Sequence, residues 1–308
     1  MKSKSIIDLE HKYGAHNYHP LPVVLEKGEG VFVWDVDGKK YYDCLSAYSA
    51  VNQGHCHPDI ISALNKQADR LTLTSRAFYN NILGEFEKYA TDLFGYDKLL
   101  PMNTGAEGVE TAIKLCRKWA YEQKNINTEC ANIIVFDGNF HGRTTTIISF
   151  SNDSDAKDNF GPYTPGFISV PYNNVEALVS TINNNKNIAG ILIEPIQGEA
   201  GVIVPDEGFL STVKELCVDN KILFIADEIQ TGIARTGKML ACDHESVKPD
   251  ILILGKALSG GVFPVSAVLA DDDIMLCIKP GEHGSTYGGN PLACQVAMAA
   301  LDVVKNEN

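Results

Sequence analysis

Residues 250–261 read DILILGKALSGG, which places Lys256 directly after an unbroken apolar run and before a serine and two glycines. A run such as ILIL, bounded by turn residues, predicts a strand buried on both faces. Lys256 then stands at the strand's end, where an α/β sheet opens onto its ligand crevice. An ammonium at the edge of a core loses solvation, so its neutral, nucleophilic form is easier to reach. A strand-end lysine can also simply snorkel into water, so the chemical reading needs partners elsewhere in the chain. The strongest partner is ILFIADEIQTG, residues 222–232, where Asp227 and Glu228 follow another buried apolar run. A strand-end acid and a strand-end lysine in successive β units face one crevice. Pyridoxal phosphate needs such a pair: a lysine for the Schiff base and a carboxylate that keeps the pyridine nitrogen protonated.

That cofactor also brings a phosphate and a flat ring. MNTGAEGVETA, residues 102–112, reads as a strand end, a turn and a helix start. The amides of Gly105 and Ala106, at the positive end of that helix, suit phosphate oxygens. NIIVFDGNFHGRT, residues 132–144, sets Phe140 and His141 after a further strand, where an aromatic can stack on a pyridine ring. Singly, each stretch has a plain structural reading, a helix cap for Thr104 and core packing for Phe140. Together they supply base, nitrogen partner, phosphate cradle and ring stack. One other cluster invites a metal reading: GHCHP, with His55 and His57 flanking Cys56. No second cluster supplies the remaining ligands, so no metal is expected and these are read as structural histidines before Pro58.

The elements that must position these residues follow from the apolar runs. KLLPMN, NIIVF, FISVP, AGILIEP, ILFIADE and DILILG alternate with helical patterns from about residue 97 onward. Strands alternating with amphipathic helices predict a mostly parallel sheet covered on both faces, an α/β fold. Residues 291–305 carry apolar positions at helical spacing. Residues 1–40 read differently, as an irregular start and then a hairpin-like pair of strands around Asp37-Gly38, an appendage to the α/β body.

The 308 residues are 44% hydrophobic and 21% charged, with a net charge of −13. A chain with so little basic excess is a poor partner for nucleic acid or an anionic membrane surface. No apolar run approaches the ~20 residues of a membrane helix. Eight cysteines are scattered with no C-x-x-C pair, which points to reduced, mostly buried thiols inside a cell. The start, MKSKSIIDLEHKYG, has no signal-peptide core, so the cytoplasm is expected, or the mitochondrial matrix if a transit peptide has been removed.

The chain resembles the pyridoxal-phosphate aminotransferases of fold type I, in the class-III subgroup that acts on ω-amino groups. SAVNQGHCHP, LTLTSRAFYNN, NTGAE, GNFHGRT, EPIQGEAGV, ADEIQTGIARTGK and GKALSGGVFPVSAV carry the likeness. These segments indicate class, and leave acetylornithine and 4-aminobutyrate as rival substrates. YGAHNYHPLPVVL and KPGEHGSTYGGNP lie closer to the members that use ornithine. The resemblance implies a seven-stranded, mostly parallel sheet flanked by helices, and a small α+β lobe that is incomplete here. Residues 1–40 would begin that lobe, 41–308 would form the large cofactor-binding domain, and the C-terminal small domain would be absent. A non-catalytic fragment is therefore the reading of a different class.

Residue by residue, the resemblance makes Lys256 the Schiff-base lysine and Asp227 the partner of the pyridine nitrogen. Gln230 would bond the ring hydroxyl, Phe140 would stack on the ring, and Gly105 with Ala106 would bind phosphate. Ser285 and Thr286 resemble the pair that reaches the phosphate of a neighbouring subunit, which implies a homodimer or a higher oligomer. Arg143 and Tyr18 resemble residues that hold the amino-acid end of L-ornithine. Tyr48 would line the substrate channel, and Glu199 would mask an arginine that grips 2-oxoglutarate. One departure stands inside the cradle helix: Gly108 and Val109 replace a commoner pattern of small residues, and glycine there costs up to about 1 kcal/mol relative to alanine.

Overall fold

The computed structural model describes residues 2–307. The chain does not start irregularly: Lys2–Tyr13 is a helix. Neither proline nor glycine interrupts those twelve residues, and Gly14 closes them by donating its amide to the Glu10 carbonyl at 2.7 Å. A small antiparallel sheet follows, of β1 (Leu25–Glu29), β2 (Phe32–Asp35) and β3 (Lys40–Tyr42). The β2–β3 turn contains Asp37-Gly38, as expected. Asp35 fixes it: Oδ1 accepts from the amides of Asp37 and Lys39, and Oδ2 accepts from the Tyr41 hydroxyl at 2.6 Å.

Seven strands form the main sheet: β4 (Lys98–Met102), β5 (Asn132–Phe136), β6 (Phe167–Val170), β7 (Ile188–Ile193), β8 (Leu223–Asp227), β9 (Ile251–Leu254) and β10 (Ser266–Ala270). Their order is β4-β10-β9-β8-β7-β5-β6. The six apolar runs are β4 to β9, and all six point the same way. Only β10 is antiparallel, wedged between β4 and β9. Sequence pattern did not single out β10, because SAVLA is short and follows a glycine-rich turn.

The apolar runs are continuous because both faces are covered. Ile133 and Val135 of β5 pack with Val109, Ile113 and Cys116 of the Gly105–Glu122 helix. Ile134 and Phe136 turn the other way, onto Phe209 and Val213 of the Phe209–Asn220 helix. Leu252 and Leu254 of β9 meet Phe86, Ala297 and Leu301 from the Leu83–Phe94 and Pro291–Asn306 helices. Gly108 is a fitted position rather than a blemish. A Cβ there would sit 2.9 Å from Ile253, so its absence lets the helix lie against β9. All eight cysteines are free, and five are buried.

His55 and His57 serve separate tethers. His55 Nε2 meets Asp43 at 2.7 Å. His57 accepts the Asp59 amide on Nδ1, capping the Pro58–Ala68 helix, and reaches Glu307 through Nε2 at 3.0 Å. His57, Asp59 and Glu307 bring three ligand-type atoms within 4.8 Å of one another, and His55 is not among them.

Candidate active site

Parallel strands deliver their carboxyl ends to one edge of the sheet, and the chemistry collects there. The β8–β9 register sets Asp227 beside Ile253, so Asp227 and Lys256, three residues past that partner, emerge from adjacent strands at the same edge. A cavity of about 170 Å³ opens between them. Gly105, Ala106, Phe140, His141, Asp227, Gln230 and Lys256 line it, joined by Gly142, Glu194, Ile229 and Thr231. Five separate strand ends thus meet, four of them in the stretches that the sequence suggested.

Lys256 is held at φ +41°, in the left-handed region. That conformation costs a β-carbon residue roughly 1–2 kcal/mol. The Ser259 hydroxyl donates to the Lys256 carbonyl at 2.7 Å, and the Leu258 amide donates to that of Gly255. These bonds keep the turn that aims the side chain into the cleft. Burial pushes the Lys256 ammonium below its ordinary value, against the opposing pull of Asp227, Glu199 and Glu194. The neutral amine, the form that attacks a carbonyl, is correspondingly favoured.

Asp227 is 4% exposed and doubly held. Its Oδ2 meets His141 Nδ1 at 2.6 Å, and its Oδ1 accepts the Ile229 amide at 3.1 Å. Burial pulls the His141 imidazole down, but the hydrogen bond and charge of Asp227 outweigh it, and the net displacement is upward. The neighbouring acid does different work. Glu228 is buried, and its carboxylate receives the Thr231 hydroxyl and the amides of Ala241 and Cys242, so it closes a turn and faces no ligand.

Glu194 is the residue sequence reasoning missed. It follows β7, lines the cavity, and accepts the Phe140 amide at 2.9 Å. Burial raises its carboxyl to about 7, with His141 opposing and Asp227 reinforcing the shift. The signal was present: AGILIEP ends a buried run on an acid, as ILFIADE does.

The cradle is built by a capping box. Thr104 accepts the Glu107 amide at 3.2 Å, while Glu107 accepts the amide of Thr104 in return. Among the described residues, no hydrogen bond uses the amides of Gly105 or Ala106. They remain available at the positive end of an 18-residue helix, the arrangement that binds an anion. At the far rim, Gln230 Nε2 donates to Glu199 Oε1 at 3.0 Å. Gly198 makes room for it, since a Cβ there would fall 1.4 Å from Gln230 Oε1.

The other expected residues lie outside this lining. Arg143 is exposed, with its guanidinium 5.8 Å from the Phe140 ring centroid. Glu199 is exposed and touches the site through Gln230. Ser285 Oγ accepts from Asn103 Nδ2 at 2.8 Å, and Thr286 is exposed. Tyr18 is 73% exposed and lines a separate groove between the Lys2–Tyr13 helix and residues 14–25. Tyr48 is 54% exposed, in a left-handed turn spanning Ser46–Ser49.

A sheet of this order with a lysine and a carboxylate at its carboxyl edge defines a fold type I transferase. The chain belongs to the aminotransferase class-III family, whose pattern matches residues 13–308. It is 63% identical over 306 residues to the mitochondrial ornithine aminotransferase of Drosophila melanogaster, covering 99% of this chain and 71% of that protein. Its fold is similar to the crystal structure of ornithine aminotransferase from Toxoplasma gondii, with TM-score 0.98, 50% identity, and coverage of 99% and 72%. It is also similar to an acetylornithine aminotransferase from Elizabethkingia anophelis, with TM-score 0.90, 62% identity, and coverage of 99% and 73%. No helix among the described residues is long and apolar enough to cross a membrane.

Enzymes of this family depend on pyridoxal 5'-phosphate. The donor set here fits that group: free helix-start amides for the phosphate, an aromatic face, a buried carboxylate and a desolvated amine.

Proposed function

We propose that this chain transfers the δ-amino group of L-ornithine to 2-oxoglutarate, forming glutamate 5-semialdehyde and glutamate. The single observation that carries the reading is the meeting of Lys256, its ammonium destabilised by burial, with the Asp227–His141 pair in one cavity. Pyridoxal phosphate, when bound, supplies an electrophilic carbonyl carbon and an electron-withdrawing ring. Lys256 would hold it and afterwards carry the proton between the substrate's δ-carbon and the cofactor. Asp227 would hold a proton at the pyridine nitrogen, and His141 and Ile229 fix the orientation of its carboxylate. Gly105 and Ala106 would grip phosphate, Phe140 would cover one ring face, and Gln230 would bond the ring hydroxyl.

Arg143 is the proposed grip on the α-carboxylate of ornithine, because a guanidinium fork bonds a carboxylate at two points. Tyr18 and Tyr48 would contact substrate from outside this cleft. Glu199 would mask the arginine that receives 2-oxoglutarate. Ser285 and Thr286, outside the lining, would serve the phosphate of a second copy in a homodimer. The likeness to an acetylornithine aminotransferase favours acetylornithine as the second reading.

Two measurements test this. Borohydride reduction and peptide mapping of the cofactor-loaded protein should leave the pyridoxyl mass on the peptide containing GKALSGG; a label on another lysine overturns the site. Parallel assays should give a higher kcat/KM for ornithine than for acetylornithine or 4-aminobutyrate. The reverse order overturns the substrate.

A further inference from the structure

The loop over residues 279–289 runs beside the helix that carries the phosphate cradle and is fastened at three places, to Asn103 just before the helix and then to residues along it. Nearest the cradle, Ser285 Oγ accepts from Asn103 Nδ2 at 2.8 Å, and the Asn103 amide donates to Glu107 Oε2 at 2.9 Å. One turn further on, His283 is bonded through both ring nitrogens, to Thr111 Oγ1 at 2.8 Å and Lys114 Nζ at 2.9 Å. Beyond that, Lys118 pairs with Glu282. Asn103, Thr104 and Gly105 also line a second cavity of about 350 Å³ that shares Lys256 with the first.

These partners define the state of the imidazole. The Thr111 hydroxyl donates its proton to the Glu107 carbonyl at 2.7 Å, so toward His283 it can only accept. His283 must therefore carry hydrogen on Nε2. Lys114 has only donors, so it must meet a bare lone pair on Nδ1. The latch exists only with neutral histidine. A second proton would sit on Nδ1, directly against the Lys114 ammonium.

We propose that His283 is a positioning residue for the cofactor, latching the 279–289 loop onto the cradle helix so that Asn103 and Glu107 hold the Gly105–Ala106 turn in its anion-binding shape. The inference rests on the reading of that turn as a phosphate site. The charged groups around His283 are Lys114 and Glu107 from the helix, with the Lys118–Glu282 pair beyond. Burial lowers the imidazole below its ordinary 6.5, Lys114 lowers it further, and Glu107 opposes both. The sign follows from this depression: the latch is whole above about 6.5 and is lost as pH falls through the folded value. Acidification should loosen the grip on phosphate.

The test is equilibrium binding of pyridoxal 5'-phosphate, followed by absorbance, to the stripped full chain, its His283→Gln variant and its His283→Ala variant, between about pH 5 and about pH 7.5. Glutamine can accept from Lys114 and donate to Thr111 without titrating in this range. Wild-type affinity should fall about tenfold more than that of His283→Gln over the range, the order expected for losing one charge-assisted bond. His283→Ala should bind weakly at every pH. Pyridoxal, which lacks the phosphate, should bind all three alike. Parallel pH curves for wild type and His283→Gln, or an unweakened His283→Ala, overturn the latch. Tight cofactor binding that does not involve Lys256 by peptide mapping overturns the parent reading instead.

Discussion

The carboxyl edge of the main sheet and the N-terminal stretch through Tyr42 differ in how firmly they hold their residues. At the sheet edge, Asp227 is the last residue of a strand whose five residues are all buried, and Lys256 follows a strand of four buried residues. Backbone ladders fix where those strands stop, and packing on both faces fixes how far they project. In the N-terminal stretch, the three strands average four residues, half of them exposed and only Val33 and Asp35 buried, and Tyr18 and Leu21 stand 73% and 81% exposed. A catalytic group inherits precision from the core beneath it. Few groups at the N-terminus have a core beneath them.

The sharpest way to break this contrast is to remove the lysine. Lys256→Ala should lower transamination by about 10²–10⁴-fold, measured as steady-state turnover with ornithine, while leaving the far-ultraviolet circular dichroism unchanged. Substantial residual turnover would mean the sheet edge is not where the chemistry happens. Asp227→Ala should come next. The variant should retain some cofactor yet lose about 10²–10³-fold in the proton-transfer step, followed by single-turnover absorbance. Near-normal rates would reduce the Asp227–His141 pair to a structural bond.

Glu194→Gln probes stability rather than rate. The Glu194 carboxyl is raised to about 7 from 4.5, so the folded state binds its proton more tightly than the unfolded chain does. Wild type should therefore lose stability relative to Glu194→Gln as pH rises through that window, by up to about 3 kcal/mol. Urea unfolding of both proteins at the two ends of the window measures it, and parallel curves would contradict the assignment.

Arg143→Lys should cost ornithine about tenfold in kcat/KM and a simple ω-amine much less, because the two-point grip is lost. Equal losses would remove Arg143 from the substrate site. The smallest effect belongs to the other region. Tyr18→Phe should lower kcat/KM for ornithine by about threefold, the order of one weak hydrogen bond to substrate, and change stability by less than about 0.5 kcal/mol. An unchanged kcat/KM would remove Tyr18 from the substrate site.

Sequence alone determined the strands β4 to β9 and the residues at their ends. Both are local: an apolar run flanked by turn residues has one good solution in a covered sheet, and the residue after it is carried to the edge. Lys256, Asp227, Phe140, His141, Gly105 and Ala106 were legible for that reason. Tertiary structure alone decided which neighbour each side chain met. Asp227 and Glu228 are adjacent in sequence, yet strand pleating sends the first into the cleft and the second under a turn. Glu194 joined the site because β7 lies beside β8, a neighbour relation that no spacing in the chain encodes. Gly108 looked like a defect until the 2.9 Å approach of Ile253 supplied its reason. Periodicity and residue type act along the chain, whereas strand order and close packing act across it, between residues whose separation in sequence carries no information.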